Sequence, residues 1–218
     1  MASGSKGNCY LCGKEFGKTA IKNHLMKSHG NHDDGQKCYL LKIEGVYNKD
    51  YWLYIDVPIT ASLSSVDAFL RKIWLECCGH MSAFFGSNHA EIGKARKIGA
   101  FHIGDKLIHE YDFGSTTETI ITIMGEIVRK TQKESVRLLA RNIPSAYSCC
   151  SCGKPATLLC PECMYSAENP FFCETCGGAH EHDDVLLAVS NSPRMGECGY
   201  EGELDVFAFN PNVFEVTT

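Results

Sequence analysis

The sequence lacks any long apolar run, although 44% of its 218 residues are hydrophobic. A helix that crosses a bilayer needs about 20 consecutive apolar residues, so we expect no membrane-spanning helix and no contact with a membrane. The opening residues, Met-Ala-Ser-Gly-Ser-Lys-Gly, also lack the apolar segment of a secretory signal peptide. We therefore expect a cytoplasmic protein, held in a reducing intracellular compartment.

Basic residues are nearly absent from the last third of the chain. Residues 149–218 carry only Lys154 and Arg194 against eleven acidic residues. Residues 1–32 carry one acidic residue, Glu15, against five lysines: Lys6, Lys14, Lys18, Lys22 and Lys27. Because an acidic surface repels phosphate, nucleic acid, if it binds, should meet the N-terminal end.

Cysteine, in contrast, is abundant: the chain has 13, most of them in pairs separated by two residues and followed by histidines. Without an export signal, pairs of this spacing indicate zinc ligands rather than disulfides. One such pair supplies two ligands of a tetrahedral zinc ion, and a second pair completes the site.

The N-terminal segment resembles the two-Cys, two-His zinc finger of ββα type. Phe16 and Ile21 occupy the positions of the finger's small apolar core, residues 19–29 predict its helix, and Gly30 predicts the helix end. Such a core is too small to fold without metal. The predicted zinc ligands are Cys9, Cys12, His24 and His29.

The predicted finger helix offers little to a DNA base. Its base-contacting positions fall near Gly17, Ala20 and Asn23, and two of these three have little or nothing that reads a base edge. A single finger also covers only about three base pairs. We do not expect sequence-specific DNA binding, whereas contacts between the lysines and phosphates stay an alternative.

The central region predicts strands around one helix. Residues 39–44 and 51–57 alternate as two strands around a turn at 48–50, and a helix is predicted from Ser64 or Ser65 to Gly79. Further strands are predicted at 98–103, 106–111, 119–124 and 136–139. The pattern predicts an α+β fold: a central mixed or antiparallel sheet with a helix, flanked by small zinc-binding modules.

Three stretches of this region resemble the Ri-plasmid ORF-three-like family. They are Trp74-Leu-Glu-Cys-Cys-Gly-His-Met-Ser-Ala-Phe84, His109-Glu-Tyr-Asp-Phe-Gly-Ser-Thr-Thr-Glu118 and Leu138-Leu-Ala-Arg-Asn142. The family usually has an acidic pair and a Trp after the Tyr-Asp-Phe-Gly run, where this chain has Ser-Thr-Thr. The resemblance implies an α+β fold for residues 38–145 and no established activity. Relatives also occur as passenger proteins of an insertion sequence.

Three groups in this region could indicate an enzyme. One of them, His89 and Glu91, is expected to lie solvated in a loop. Cys77, Cys78 and His80 stand at the predicted helix end, an arrangement that a Cys–His nucleophile pair can have. We favour the alternative, in which these cysteines pack as small apolar residues. His109 and Glu110 would point to opposite faces of a strand, so a structural or partner-binding edge is favoured over a dyad. No catalytic residue is assigned.

Eight residues between positions 149 and 182 form four ligand pairs, enough for two tetrahedral zinc ions. Their order resembles a B-box or related cross-brace, in which pairs one and three share one metal and pairs two and four share the other. This resemblance implies one site of Cys149, Cys152, Cys173 and Cys176. It implies a second site of Cys160, Cys163, His180 and His182. A sequential ribbon, in which pairs one and two share a metal, is the alternative.

Cys198 is one further candidate ligand near this module. Since His180 and His182 are separated by one residue, Cys198 could replace one of them as the fourth ligand. With ligands in surplus the sites are expected to be closed, so structural zinc is favoured over catalytic zinc. Three structural Zn²⁺ ions are predicted in all.

These patterns predict a non-enzymatic zinc-binding adaptor that engages a protein or ribonucleoprotein partner, with no small-molecule substrate evident. One alternative is a nucleic-acid-associated regulator of mobile-element origin, whose finger contacts phosphates. A less favoured one is a thiol or metallo-hydrolase. The predicted modules are a finger at 1–32, a linker at 33–37, an α+β domain at 38–145, and a zinc module with a C-terminal tail at 146–218.

Overall fold

The computed structural model describes residues 5–30, 35–130, 135–202 and 205–214. Residues 33 and 34 of the predicted linker lie outside the described residues. The chain divides into two compact units. The first, which we call the sheet unit, comprises Met1–Arg71, Met81–Ile143 and Ala208–Thr218, and the second, the cysteine-rich unit, comprises Lys72–His80 and Pro144–Phe207.

A nine-stranded sheet dominates the sheet unit, and all of its strand pairs are antiparallel. The strand order is β2-β1-β9-β4-β3-β8-β7-β5-β6. The strands are β1 Lys6–Cys9, β2 Glu15–Gly17, β3 Gln36–Gly45, β4 Trp52–Pro58, β5 Ser82–Phe85, β6 Glu91–Ile92, β7 Lys106–Tyr111, β8 Thr117–Arg129 and β9 Arg137–Asn142. The predicted α+β class, with a large antiparallel sheet and small Cys/His clusters, is confirmed.

The central strands follow the hydrophobic pattern that predicted them. β3 and β8 alternate between buried and partly exposed residues, whereas every residue of β4 is buried. β3 and β4 form the predicted hairpin, with Tyr39 opposite Val57 and Glu44 opposite Trp52. The core of the unit therefore lies on both faces of the middle of the sheet.

Two helices lie in or begin in this unit: α1, Lys18–His29, and α2, Leu63–Leu70, which continues into a π turn at Arg71–Leu75. Among the described residues no helix has the length and apolar character to cross a membrane. The prediction for α2 was wrong at both ends, since its N-cap is the extended Ser62 and the helical turns stop at Leu75.

The predicted strand at 98–103 was also wrong. Residues Ile98–Ala100 form a 3₁₀ turn instead. The backbone N–H groups of Ile98 and Gly99 donate to the carbonyls of Ala61 and Ile59, at 2.8 Å each, and so are not available to a longer ladder. The apolar residues of this stretch predicted a strand because short apolar runs do not distinguish strands from buried turns.

The finger is continuous with the sheet, because its first strand β1 pairs with β9. Gly7 permits this close approach: a Cβ atom there would lie 2.3 Å from the Arg141 carbonyl oxygen and 2.4 Å from the Trp52 ring. Ile21 and Leu25 of α1 join one buried cluster with Leu40, Trp52, Tyr54 and Leu139 of the sheet. The small apolar core of the finger is thereby extended by the sheet.

The cysteine-rich unit has little regular structure. Its three-stranded sheet, in the order β11-β10-β12, consists of β10 Leu158–Leu159, β11 Phe171–Phe172 and β12 Leu187–Ala188, with the short helix α3 at Glu174–Gly177. Trp74 is buried in this unit, where its Nε1 donates to the Asn191 carbonyl at 3.1 Å and its carbonyl accepts from Ser192 Oγ at 2.6 Å. The other large apolar side chains buried among the described residues of this unit are Ile73, Leu75, Leu159, Phe172 and Tyr200.

Candidate metal centres

Four groups of Cys and His residues each place four ligand atoms within 4.8 Å of one another. Four thiolate and imidazole donors at this spacing fit a tetrahedral Zn²⁺ ion. The described part of the chain thus has four sets that could hold metal, where the sequence predicted three. The sets are Cys9, Cys12, His24 and His29; Cys149, Cys152, Cys173 and Cys176; Cys160, Cys163, His180 and His182; and Cys77, Cys78, His80 and Cys198.

The finger site combines ligands from β1, the turn after it, and one face of α1. His24 Nε2 lies 3.2 Å from Cys12 Sγ and 3.2 Å from His29 Nε2, and His29 Nε2 lies 3.7 Å from Cys9 Sγ. The Phe16 ring stacks on His24 with 4.2 Å between ring centroids, which fixes the orientation of the imidazole. All four predicted finger ligands are brought together.

Two of the Cys-x-x-Cys pairs lie in backbone turns of the same type. In Cys9–Lys14 and Cys149–Lys154, the N–H of the first cysteine donates to the lysine carbonyl, at 2.9 and 2.8 Å. In both, the N–H of the glycine after the second cysteine donates back to the first cysteine's carbonyl at 2.9 Å. These glycines, Gly13 and Gly153, have φ of +73° and +71°, a conformation that other residues rarely adopt. The sequence therefore specifies the local shape of both ligand pairs.

The electrostatics of the four-cysteine set favour a bound cation. Backbone N–H groups, chiefly that of Cys173, lower the pKa of Cys149 to about 6, which favours its thiolate. Hydrogen bonds with the neighbouring sulfurs, first with Cys152, raise the pKa of Cys176 to about 12. Thiols this close cannot all ionise without an added positive charge. A bound Zn²⁺ would supply that charge and hold all four as thiolates.

The third site resolves the crowding of two histidines separated by one residue. His180 presents Nε2 at 3.4 Å from Cys163 Sγ, whereas His182 presents Nδ1 at 3.6 Å from Cys160 Sγ. Their rings are nearly perpendicular, with an interplanar angle of 86°. Because each histidine uses a different ring nitrogen, both fit one site. The two C-terminal sites have the cross-braced arrangement, and the sequential ribbon is not formed.

Cys198 lies in a different cluster from the one considered for it. Its Sγ is 3.3 Å from His80 Nε2 and 3.5 Å from Cys78 Sγ. The interpretation of Cys77 and Cys78 as core residues was wrong, since Cys77 is only half-buried and Cys78 is exposed. The cluster escaped prediction because Cys78 and Cys198 are 120 positions apart. The signal in the sequence was that several cysteines were left over once the three predicted sites had their ligands.

His109 does not lie at an edge, because β7 runs between β5 and β8. It is buried, and its Nε2 is 2.8 Å from Asp67 Oδ1. Ser82 Oγ and Lys94 Nζ donate to the same carboxylate at 2.7 and 2.9 Å. Burial alone would raise the pKa of Asp67, but these hydrogen bonds outweigh it and hold the pKa below its usual value. Asp67 is thus an anion that joins α2 to β5 and β7.

The basic charge of the finger is partly neutralised within the sheet unit. Lys6 forms an ion pair with Glu15 at 2.8 Å. Lys18 forms one with Glu44 and donates to the Lys49 carbonyl at 2.7 Å. The excess of lysines in this segment therefore overstates its attraction for phosphate.

The cysteine-rich unit presents an acidic surface. Lys72, in one segment of the unit, is exposed; between residues 144 and 202, in the other segment, Arg194 is fully buried and Lys154 is exposed. Seven carboxylate side chains are exposed in the same stretch: Glu162, Glu168, Glu174, Glu181, Asp183, Asp184 and Glu201.

No protein-family model matches the chain, and no curated protein matches it. Among solved structures, the chain is similar to a protein of unknown function from Methanosarcina mazei Go1, with 16% sequence identity and a TM-score of 0.43. The similarity covers 49% of this chain and 70% of that chain.

Proposed function

We propose that this protein is a non-enzymatic zinc-binding adaptor whose acidic, cysteine-rich unit binds a basic segment of a protein or ribonucleoprotein partner. The observation that carries the proposal is that each ligand set supplies four protein donor atoms. A catalytic zinc normally keeps one position for water or substrate. A set with four protein donors leaves no such position and favours a structural ion.

The charge distribution supports the choice of partner. Residues 149–218 carry a formal charge of −9, from two basic and eleven acidic residues. Zinc binding does not cancel this charge, since Zn²⁺ with four thiolates has a net charge of −2 and with two thiolates and two imidazoles has none. A surface of one sign attracts and orients a partner of the opposite sign.

The first test is a titration of the zinc-loaded protein with a fluorescent lysine- and arginine-rich peptide at increasing salt. We expect binding that weakens as salt rises, because screening reduces surface attraction. The variant Glu168→Lys, Glu181→Lys, Asp184→Lys should bind at least about tenfold more weakly. Its zinc content is measured in parallel, so that loss of charge is not mistaken for loss of metal.

The matched control reverses three exposed acidic residues of the sheet unit: Asp50→Lys, Glu91→Lys, Glu126→Lys. It changes the net charge equally and should bind the peptide nearly as well as the parent. If both variants bind the peptide equally weakly, the effect depends on net charge and not on the acidic surface of the cysteine-rich unit. If the parent protein does not bind the peptide at low salt, the proposal that this surface binds a basic partner is wrong.

The second candidate is a nucleic-acid-associated regulator, for which the family resemblance of residues 38–145 supplies the mobile-element origin. The observation in its favour is the exposure of Lys14 and Lys27, together with Asn23, on the finger. The ion pairs of Lys6 and Lys18 count against it.

Gel retardation with single- and double-stranded DNA and RNA tests this candidate. We expect no retention at about 0.1 M salt, because too few unpaired lysines remain to release counterions. Retention that disappears in the variant Lys14→Glu, Lys22→Glu, Lys27→Glu would favour the regulator over the adaptor. A variant of Lys6 would serve as control, because that lysine already has an acidic partner.

A further inference from the structure

We propose that Cys77, Cys78, His80 and Cys198 form a fourth zinc site, with three sulfur ligands and one nitrogen ligand. Three of its four residues, Cys77, Cys78 and His80, lie outside both sequence modules that predicted zinc, and the fourth, Cys198, was considered only for a different site. It joins the segment after the π turn to the segment that follows β12, and both belong to the cysteine-rich unit.

The spacing of the donor atoms fits one ion. Zn–S and Zn–N bonds of about 2.3 and 2.0 Å place tetrahedral ligands about 3.3–3.8 Å apart. Cys77 and Cys78 Sγ are 3.4 Å apart, and Cys198 Sγ lies 3.5 Å from Cys78 Sγ and 3.3 Å from His80 Nε2. The closest pair, Cys78 Sγ and His80 Nε2, is 2.9 Å apart, shorter than this range, so these two side chains would have to move apart slightly to hold the ion. The sulfurs at these distances are not bonded to one another, because a disulfide bond is about 2.05 Å long.

The backbone is shaped to present these ligands. Gly79, between Cys78 and His80, has φ of +78°. Cys198 itself has φ of +49°, in the left-handed region that a residue with a Cβ rarely adopts. Strain of this kind is retained where a surrounding interaction fixes it, as at binding sites. A bond from Cys198 to zinc would be such an interaction.

A buried arginine supplies a second, independent observation. Arg194 has no exposed surface, and its guanidinium donates to Cys77 Sγ at 3.6 Å. A guanidinium at hydrogen-bond distance from a sulfur is the arrangement expected around a zinc-bound thiolate, because hydrogen bonds to ionised acceptors are the stronger ones. Zn²⁺ with three thiolates and one imidazole has a net charge of −1, which the guanidinium balances. Neither the charge of Arg194 nor the turn at Cys198 is explained by apolar packing.

A zinc ion at this site would cross-link two segments that are distant in the sequence. Cys78 and Cys198 are 120 positions apart. The same two segments are joined by the hydrogen bonds of Trp74 with Asn191 and Ser192. Zinc at this site would close a long loop of the chain, which is the role a disulfide performs elsewhere.

Replacing zinc by cadmium allows the site to be observed directly. The ¹¹³Cd resonance reports the number of sulfur ligands, and the four sets differ: one has four sulfurs, one has three, and two have two. We expect four metal ions by native mass spectrometry and one resonance typical of three sulfurs and one nitrogen. Three ions without that resonance would overturn the proposal.

Three variants assign the resonance. His80→Cys should keep four metal ions and move the signal to the four-sulfur range, and it preserves folding because it preserves the ligand count. Cys198→Ser should lose one ion and increase hydrogen exchange at residues 191–200. Cys150→Ser is the matched control, since Cys150 is exposed and belongs to no ligand set, and it should retain all four ions.

Other chemistry at this cluster would give different results. Selective alkylation of Cys78 in protein that holds three ions would indicate a reactive thiol and overturn the metal assignment. A mass lower by about two hydrogen atoms would indicate a disulfide and would also overturn the metal assignment. These outcomes are independent of the peptide titration, so the fourth site and the adaptor proposal can fail separately.

Discussion

Removal of zinc is expected to unfold the cysteine-rich unit while the central sheet stays folded. The fully buried apolar side chains of the cysteine-rich unit are few, with Trp74, Leu159 and Tyr200 among the largest. The sheet unit, in contrast, buries every residue of β4, all of them apolar or aromatic except Asp56, and alternate residues of β3 and β8. We therefore expect apolar burial to stabilise the sheet unit and bound zinc to stabilise the cysteine-rich unit.

The magnitudes support this difference. Burial of a large apolar side chain contributes about 1.5–3 kcal/mol, whereas ordering the backbone costs about 1–2 kcal/mol per residue. A segment with two-residue strands and few buried side chains cannot offset that cost by burial alone. A structural zinc ion contributes about 10–16 kcal/mol of binding free energy. The binding free energy lost with each zinc ion should thus exceed the free energy of unfolding of the cysteine-rich unit.

Hydrogen exchange followed by mass spectrometry measures the effect residue by residue. After treatment with EDTA and a reducing agent, we expect peptides from residues 149–202 to exchange as an unfolded chain does. Peptides from β3, β4 and β8 should stay protected. Addition of Zn²⁺ should restore protection, and treatment with a calcium-selective chelator should leave the protein unchanged.

The finger helix α1 should respond in an intermediate way. Its ligands His24 and His29 lose their metal, but Ile21 and Leu25 stay in the cluster shared with the sheet. We expect faster exchange in α1 than in the sheet and slower exchange than in the cysteine-rich unit. Full protection of residues 149–202 without metal would contradict the structural role of zinc.

The parts of this protein that were predictable from the sequence are those whose signals are local. A Cys-x-x-Cys pair followed by glycine specifies its own turn, as at Gly13 and Gly153, and period-two alternation specifies β3 and β8. Such patterns need no knowledge of distant residues. The ligands of three sites and most of the central strands could therefore be named in advance.

The parts that were missed depend on contacts between distant positions. The pairing of β1 with β9 depends on hydrogen bonds of the backbone, which carry no side-chain signature, and on the absence of a side chain at Gly7. The cluster of Cys78 and Cys198 needs two segments that only the folded chain brings together. His109 was assigned to an edge although Leu107 and Tyr111 flank it at the same period, which could have indicated a buried position.

Replacing Asp56 by alanine is expected to destabilise the sheet unit by about 3–5 kcal/mol. Asp56, on β4, is completely buried and forms ion pairs with Arg129 at the end of β8 and with Arg137 on β9. Arg129 is itself completely buried. Without the carboxylate, its guanidinium would be buried without the anion that it pairs with in the native protein, and breaking a buried ion pair by removing one partner is strongly destabilising.

A surface ion pair on the same sheet provides the matched control. Glu126 on β8 lies 3.3 Å from Lys37 on β3, and these side chains are 43% and 63% exposed. Glu126→Ala also removes one carboxylate, but water replaces its partner's interaction, so the expected cost is about 0–1 kcal/mol. Urea unfolding of the zinc-loaded variants, followed by hydrogen exchange of β4 and β8, measures both changes in the free energy of unfolding.

A double variant, compared with its single variant Asp56→Leu as well as with Asp56→Ala, separates the loss of the pair from the burial of a lone charge. In Asp56→Leu with Arg129→Met, neither buried charge is present, and such apolar replacements are often neutral or stabilising. We expect this double variant to recover much of the stability that Asp56→Ala loses, although Arg137 keeps no carboxylate there. If Asp56→Ala costs no more than Glu126→Ala, the buried pair does not hold β4 to β8 and β9, and apolar packing alone must account for their stability.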